Sequence, residues 1–403
     1  MFDRRAGVLL AIAANLCGCT PQFLTPPTDA GPDDTNLPDA FVPPPPPLGD
    51  IVAIAAGGDT GETYDVGRSC AVSRDHVLRC WGGPNAGDER PRVVDGLTDP
   101  IAVAIGGYHM CALEQAGTVR CWGRSEDVGA LGDGRLSGMS DVPVAVSGIS
   151  SATAIVAGLV HTCVLLADGH VQCWGANAEG TLGNGGTAAS ATPVTVVGVS
   201  DAVELSAGLG HNCVRTSVGG VQCWGFNSGG QVGDGSTSSR LMAVAVPGLT
   251  GVSAISAGGE FSCAVRTPEG NVYCWGFNGS GQLGDGPTVD HLAPARVSGV
   301  SGVSALTTGG AHACVIAAGA VSCWGYNGDA ELGQSTTFVD MSPTPAALPQ
   351  VPLARALAAS RAIYSHTCAL TAAANVYCWG SDYSGQLGGG VVGGHDYGVL
   401  VAE

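Results

Sequence analysis

The sequence predicts an all-β protein, a seven-bladed β-propeller with four-stranded blades. Three observations predict it. Every tryptophan sits in the tripeptide Cys-Trp-Gly, at Trp81, Trp122, Trp174, Trp224, Trp275, Trp324 and Trp379. The intervals between them are 41, 52, 50, 51, 49 and 55 residues, and a period of that size marks a repeat built from one supersecondary unit. Within each unit, apolar runs of four to six residues rich in valine and isoleucine are separated by Gly, Asn and Asp, the pattern of short strands. No segment sustains helical periodicity. Four strands per unit and seven units suit radial repetition, which leaves only short, protected sheet edges.

In chain order, the first element is an export signal. MFDRR is a short basic stretch, and the apolar run AGVLLAIAANL follows. Eleven residues are too few to span a bilayer as a helix, which needs ~20. The run ends in Leu16-Cys17-Gly18-Cys19, which is similar to the lipobox of bacterial lipoproteins. Small Gly18 precedes Cys19, so residues 1–18 read as the signal peptide and Cys19 as the lipidated residue; Cys17 would require cleavage after bulky Leu16. An ordinary signal peptide with incidental cysteines is the alternative. Lipidation would make the anchor the chain's one attachment to a membrane, with ~0.8 kcal/mol gained per buried CH₂. Residues 19–49 are rich in proline and aspartate and too poor in apolar residues to offset ordering entropy. Their five-proline run is stiff and extended. They read as a tether, with a Pro-rich ligand motif as the lesser alternative.

The propeller occupies residues 50–403. Length alone would suggest two or three domains, but the repeat overrides that prior. All sixteen basic residues are arginine and the net charge is −18. Without lysine there is no Walker-type phosphate loop and no Schiff base. The acidic balance argues against nucleic acid, whose phosphates need clustered positive charge.

Each unit runs through the same parts. A short apolar strand ends in Ala-Gly or Gly-Gly, then comes His-x-Cys-x-hydrophobic, a glycine turn, Val-x-Cys-Trp-Gly, a glycine-rich turn, a variable polar loop and a Pro-Val-x-Val strand. The stretch FSCAVRTPEGNVYCWGFNGSGQLGDG, residues 261–286, shows most of these parts in one line. This pattern resembles the repeat of the regulator of chromosome condensation family, and the resemblance extends over nearly all of residues 50–403. It implies a seven-bladed propeller, in agreement with the strand count. The first copy lacks the Gly-Gln-Leu-Gly turn, and the histidine becomes Arg68 in the first copy and Phe261 in the fifth. A position that accepts arginine or phenylalanine reads as structural. The repeated His109, His161, His211, His312 and His366 are therefore expected to pack and hydrogen-bond within blades. His76, His170, His291 and His395 are expected in solvated turns and loops. How the ring closes is open: the final strand either completes the seventh blade or pairs with the first.

Fourteen cysteines fall two to a unit. Cys70 is paired with Cys80, Cys111 with Cys121, Cys163 with Cys173, Cys213 with Cys223, Cys263 with Cys274, Cys314 with Cys323, and Cys368 with Cys378. Each spacing brackets a hairpin turn. Opposed residues on antiparallel strands have Cβ atoms ~4.5–5.5 Å apart, close enough to bridge with modest adjustment. Seven cross-strand disulfides are expected, given an oxidising compartment. A Cys₂His zinc site per blade is the rival, since His and Cys two apart share a strand face. The Cys-x₂₋₄-Cys spacing of structural zinc sites is absent beyond the signal.

Chemistry is otherwise scarce. GSGQLG and GGGVVG match a dinucleotide fingerprint, but they sit in the repeated turn and not before a helix. The acid of the Gly-Asp-Gly turn becomes Asn184, Gln334 and Gly389 in other copies, which speaks against calcium. No catalytic residue, metal or cofactor is expected. The resemblance implies two precedents: nucleotide exchange on a small nuclear GTPase with chromatin binding, and secreted bacterial propellers that bind proteins, among them a β-lactamase inhibitor. The acidic chain with an export signal suits the second. The expected function is a monomeric, lipid-anchored scaffold of the cell envelope or surface that binds an unidentified protein. Its contact surface would be the loops that differ between units, at 135–141, 186–192, 236–241, 287–292 and 335–342. Arg135, Met139, Asp141, Arg240, Leu241, Asp290, His291, Phe338 and Asp340 are the candidate contact residues. Merely tolerated surface variation is the plain alternative. Two other function classes stay open: the family's exchange activity, and a glycan-active propeller with acidic residues in its central channel.

Overall fold

The computed structural model describes residues 48–58, 67–83, 88–334, 340–362, 365–390 and 395–401, with only the backbone at 395–399. Cys19, the tether up to residue 47 and Phe338 lie outside the described residues, whereas Leu48 and Gly49 are described and Leu48 is buried. The strands form seven four-stranded antiparallel sheets, and each sheet takes its strands in chain order. Blade 1 spans 51–93, blade 2 100–145, blade 3 152–195, blade 4 202–245, blade 5 252–296, blade 6 303–348 and blade 7 354–400. The result is the seven-bladed propeller read from the tryptophan period.

Blade 3 shows why each strand has its composition. Its second strand, His161–Leu166, is buried at every residue but the last, because neighbouring blades cover both its faces. The fourth, Ser190–Thr195, has only half-buried and exposed residues, as an outer edge does. Seven apolar clusters fill the seams between consecutive blades. The cluster between blades 2 and 3, for example, joins Leu113, Val119 and Leu131 to Ile155, Val164 and Trp174.

All fourteen propeller cysteines are bonded in the expected pairs. Cys70 bonds Cys80, Cys111 bonds Cys121, Cys163 bonds Cys173, and Cys213 bonds Cys223. Cys263 bonds Cys274, Cys314 bonds Cys323, and Cys368 bonds Cys378. Each pair is directly opposed in register on the second and third strands of one blade. The odd spacings, eleven in blade 5 and nine in blade 6, are absorbed in the turn, leaving Cα–Cα at 4.1 Å in both. On the third strands, Cys121, Cys173, Cys223 and Cys378 are fully buried in the seams. These cysteines are therefore structural clamps and offer no contact surface. The thiolates that zinc would need are consumed.

The histidines bond between blades, contrary to the within-blade reading. His109 Nε2 lies 2.6 Å from Thr162 Oγ1, and His161 Nε2 2.9 Å from Asn212 Oδ1. His211 meets Ser262 at 2.8 Å, His312 meets Thr367 at 2.7 Å, and His366 meets Ser69 at 2.7 Å. Each partner belongs to the following blade. An amide oxygen only accepts, so His161 donates through Nε2. Asn212 Nδ2 then donates to the Thr181 carbonyl of the histidine's own blade, at 2.9 Å. Ser262 and Ser69 likewise donate to Gln231 O and Gln386 O. The same carbonyls accept the indole N–H of the following blade's tryptophan: Trp224 on Thr181, Trp275 on Gln231 and Trp81 on Gln386, at 2.9–3.0 Å. The reach across the seam was hidden in the sequence because the partner lies about fifty residues away, one whole repeat later.

The last strand, His395–Leu400, pairs with Val376–Ser381 of its own blade, so no strand is exchanged to close the ring. Closure is made by packing and hydrogen bonds. Leu48 and Ile51 pack with Leu370, Leu387 and Val401, Leu48 N–H donates to Val401 O at 3.1 Å, and His366 bonds Ser69.

Candidate binding face

In consecutive antiparallel sheets, the connections from strand one to two and from three to four leave at the same end. The variable loops are all three-to-four connections, so they share one face. Their frame is set by a residue three positions after the tryptophan. Asn278 Oδ1 accepts from Leu283 N–H at 3.0 Å, and its Nδ2 donates to the carbonyls of Pro287 and Val289 at 2.8 and 3.1 Å. Asn177 and Asn227 do the same in blades 3 and 4, Asn327 holds Leu332 N–H, and Asp382 holds Leu387 N–H. Each loop also leans on the next blade: Gly185 N–H donates to Leu241 O, Gly235 to Leu292 O and Gly286 to Pro343 O, at 2.9–3.1 Å. Gly281 adopts φ +71, and a Cβ there would lie 2.7 Å from Pro343 Cα, so this contact requires glycine.

The candidate residues divide in two. Arg135, Arg240, His291 and Asp290 are braces within their own loops. Arg135 Nε donates to Asp133 at 2.8 Å, Arg240 bonds Asp234 and Ser236, and His291 Nε2 lies 2.8 Å from Asp285. Asp290 Oδ1 accepts from Asn278 N–H at 2.9 Å. His291 therefore opens a strand and is half-buried, not a solvated loop residue as expected. His395 also opens a strand. His170 and His76 do sit in turns. Met139, Asp141, Leu241 and Asp340 are exposed and remain available. The framing asparagines were missed as site residues; their recurrence at one offset from each Cys-Trp-Gly was the signal.

Along the axis, the first strands end in small residues because blades meet there backbone to backbone. Gly107 N–H donates to Leu159 O, Leu159 to Leu209 O, and Gly259 to Gly309 O, at 2.8–3.1 Å. The seventh copy places Arg361 at this position. Its buried guanidinium donates from Nε to Ala257 O at 2.9 Å across the ring, and burial lowers its pKa to about 10. Arg361 borders a narrow space of about 10 Å³ with Gly57, Ile105, Gly106 and Gly158. A guanidinium and glycines thus stand where a glycan-cleaving reading would put a carboxylate pair. Among the described residues, no group of three His, Cys, Asp or Glu side chains could hold a metal.

Burial leaves its mark on the titratable groups. Desolvation holds the five seam histidines at about 3 to 4, well below the usual imidazole value. Glu331 occupies the place of Gln231 and Gln282. Burial, aided by the charge of Asp329, pushes its carboxyl up to about 8, although it accepts from Asp329 N–H at 2.8 Å.

Known proteins share this repeat. The model of the regulator of chromosome condensation (RCC1) repeat matches residues 168–215 and 269–316, and a second model of that repeat matches 101–127, 152–181, 252–282 and 364–386. The human E3 ubiquitin-protein ligase HERC2 is 31% identical over 152 residues, which cover 34% of this chain and 3% of that protein. The mitochondrial RCC1 domain-containing protein RUG3 of Arabidopsis thaliana is 34% identical over 146 residues, 33% of this chain and 32% of its own length. The matched region is thus a third or less of either relative. Prp20p of Saccharomyces cerevisiae, described with its binding to Gsp1p and histones, superposes with a TM-score of 0.70 at 22% identity, covering 89% of this chain and 87% of its own. Human WBSCR16 superposes at 0.66 and 20% identity, covering 78% and 84%. At these identities the likeness is one of fold. The tryptophan period, the seven sheets and the matched repeats agree that this chain is a seven-bladed β-propeller that contains regulator of chromosome condensation repeats.

Proposed function

We propose that the protein is an exported, lipid-anchored, non-catalytic scaffold that binds another protein through the face built by its three-to-four loops. One observation supports this most: the loops share a rigid frame and differ in what they present. Side-chain amides and glycine contacts hold the loop backbones of blades 3, 4 and 5, while exposed apolar residues stand on the three-to-four loops and the fourth strands they enter, among them Met139 (60% exposed), Val142 (65%), Val289 (65%) and Leu292 (38%). Exposed apolar residues on a pre-organised frame lose little entropy on docking. The lipobox-like Leu16-Cys17-Gly18-Cys19 and the proline-rich tether support a position at the cell envelope or surface. The arginine on the axis supports a role without channel chemistry.

The test is cross-linking on intact cells, identification of the captured protein, and titration of the purified pair. Met139→Ser with Leu292→Ser is expected to weaken binding by roughly tenfold or more while leaving the thermal midpoint unchanged. Unchanged affinity would place the contact elsewhere. For the anchor, Cys19→Ala is expected to abolish labelling by a radioactive fatty acid, and persistent labelling would refute it.

A further inference from the structure

Blade 5 carries a charge that the ring does not explain. Glu260 lies in the connection between its first two strands, directly before Phe261. Blades 2, 3, 4 and 6 have Tyr108, Val160, Gly210 and Ala311 at that place, so the fold does not ask for an acid there. The Glu260 side chain is half-buried, and among the described residues no hydrogen bond or ion pair reaches its carboxylate. Burial, and after it the charge of Asp290, raises that carboxyl above the usual glutamate value. Carboxylates taken this far from water are as a rule paired. The blade's own arginines do not pair it. Arg266 and Arg296 end the second and fourth strands at the opposite end of the blade, where they bond Thr250 and Asn271.

The backbone draws an aromatic residue and a second carboxylate to Glu260. Phe277 N–H donates to Glu260 O at 2.9 Å, and the next amide, Asn278 N–H, donates to Asp290 Oδ1 at 2.9 Å. Phe277 is half-exposed, and the tip of its ring rests on the loop at Gly279, where a Cβ would lie 2.5 Å from Phe277 Cζ. Val289 and Leu292, both exposed, stand on either side of Asp290 in the chain. Exposed apolar surface, an aromatic ring and an unpaired carboxylate at one place suit a side chain that is cationic at its tip and apolar along its stem. Arginine suits them better than lysine, because its planar guanidinium both stacks on a ring and forks to carboxylates. Residues 202–296, which make up blades 4 and 5, are described throughout.

We propose that the partner docks a basic segment on this part of the loop face, with one arginine seated on Phe277 between Glu260 and Asp290. The proposal rests on the loop-face reading above and names the chemistry of the partner. The probe is the peptide acetyl-Leu-Gly-Arg-Gly-Leu-amide, which carries one cation and no acid. Isothermal titration into the full chain is expected to saturate a single site. Citrulline in place of arginine removes the charge, keeps the shape and should bind roughly tenfold more weakly. Lysine in its place should bind several-fold more weakly. Glu260→Gln should lose roughly tenfold in affinity while its thermal midpoint stays at or above the parent's, since no charge is then held away from water. Asp290→Asn keeps an oxygen for Asn278 N–H and should lose several-fold in affinity. Glu269→Gln makes the same change of charge in an exposed turn at the opposite end of the blade. It should bind as the parent does, which separates a seat from general attraction to an acidic chain. Absence of saturation at millimolar peptide, equal binding of the citrulline peptide, or parental affinity in both Glu260→Gln and Asp290→Asn would each overturn the proposal. The titration uses no partner, so it can fail while Met139→Ser still weakens binding of the captured protein. That result would remove the arginine seat and leave the loop face standing.

Discussion

His211 and Ser262 form one of five seam pairs that follow a rule: wherever a blade carries histidine, the following blade carries a hydroxyl or amide opposite it. One exception obeys it in reverse: Phe261 faces a blade whose corresponding residue is Ala313, with which it shares an apolar cluster. The other, Arg68 before Met110, is a mixed pair, and the arginine has the charge of Asp88 beside it. The physical reason is the asymmetry of buried polar groups. A made hydrogen bond contributes about 1 kcal/mol, whereas a buried orphan costs about 1–3 kcal/mol. A seam therefore tolerates polar with polar or apolar with apolar, and penalises mixtures. Phe261→His alone places an imidazole against Ala313 and is expected to destabilise by about 2–4 kcal/mol, from lost packing and an unpaired nitrogen. Ala313→Thr alone buries a hydroxyl beneath Phe261 and should also destabilise. The double variant should recover roughly 1–2 kcal/mol of the sum, measured as the coupling in a double-mutant cycle of urea unfolding. Strict additivity would mean that the two residues do not sense each other across the seam.

Within a blade, most of the architecture was legible because strands have period two and the unit is written seven times. The cysteine register followed from a spacing of about ten around a glycine turn, and all seven pairs lie opposed, from Cys70 with Cys80 to Cys368 with Cys378. The loop interior was less legible. Arg240 and His291 look like free contact residues in the sequence, yet they turn back onto Asp234 and Asp285 of their own turns. Nothing in linear spacing tells which way a loop side chain points. The framing asparagine was visible as a repeat but silent about its role, because its partners are backbone atoms five to eleven residues on. Asn278→Ala removes four bonds at once, those with Leu283, Pro287 and Val289 and a longer one to Asp285 Oδ1, leaving the buried Leu283 N–H without its acceptor. It should cost about 1–3 kcal/mol and raise hydrogen exchange at Leu283 while the blade's disulfide stays intact. Thr288→Ala in the same loop, at an exposed position, should change stability by less than about 0.5 kcal/mol. Comparable effects from the two would show that the loop has no fixed frame.

At the scale of the ring, closure depends on the same seam bonds that join other blades, since no strand is exchanged between blade 7 and blade 1. Protonating the seam histidines therefore loosens the ring as a whole. The five imidazoles sit at about 3 to 4 when folded, held down chiefly by burial, whereas an unfolded chain protonates them near pH 6.5. Between those values the unfolded state binds more protons, so stability falls as pH drops from about 6.5. Near pH 5.5 each histidine contributes roughly 1 kcal/mol per pH unit to that slope, and this window lies above the usual carboxylate range. Glu331 works in the opposite direction. Its carboxyl is raised to about 8, so the stability of its protonated form is complete below the usual glutamate value and is lost as pH rises toward 8. The thermal midpoint should therefore drop steeply on the acid side and more gently on the alkaline side. His312→Gln keeps a donor for Thr367 without a titrating nitrogen and should shallow the acid slope by about one histidine's share. Glu331→Gln, the residue found at the same place in blades 4 and 5, should remove most of the alkaline decline and, because the glutamate's opposing slope runs from its usual value up to about 8, should steepen the acid slope by about one histidine's share. A thermal midpoint flat between pH 7 and 5, followed by differential scanning calorimetry, would mean that the imidazoles are not shielded in the seams.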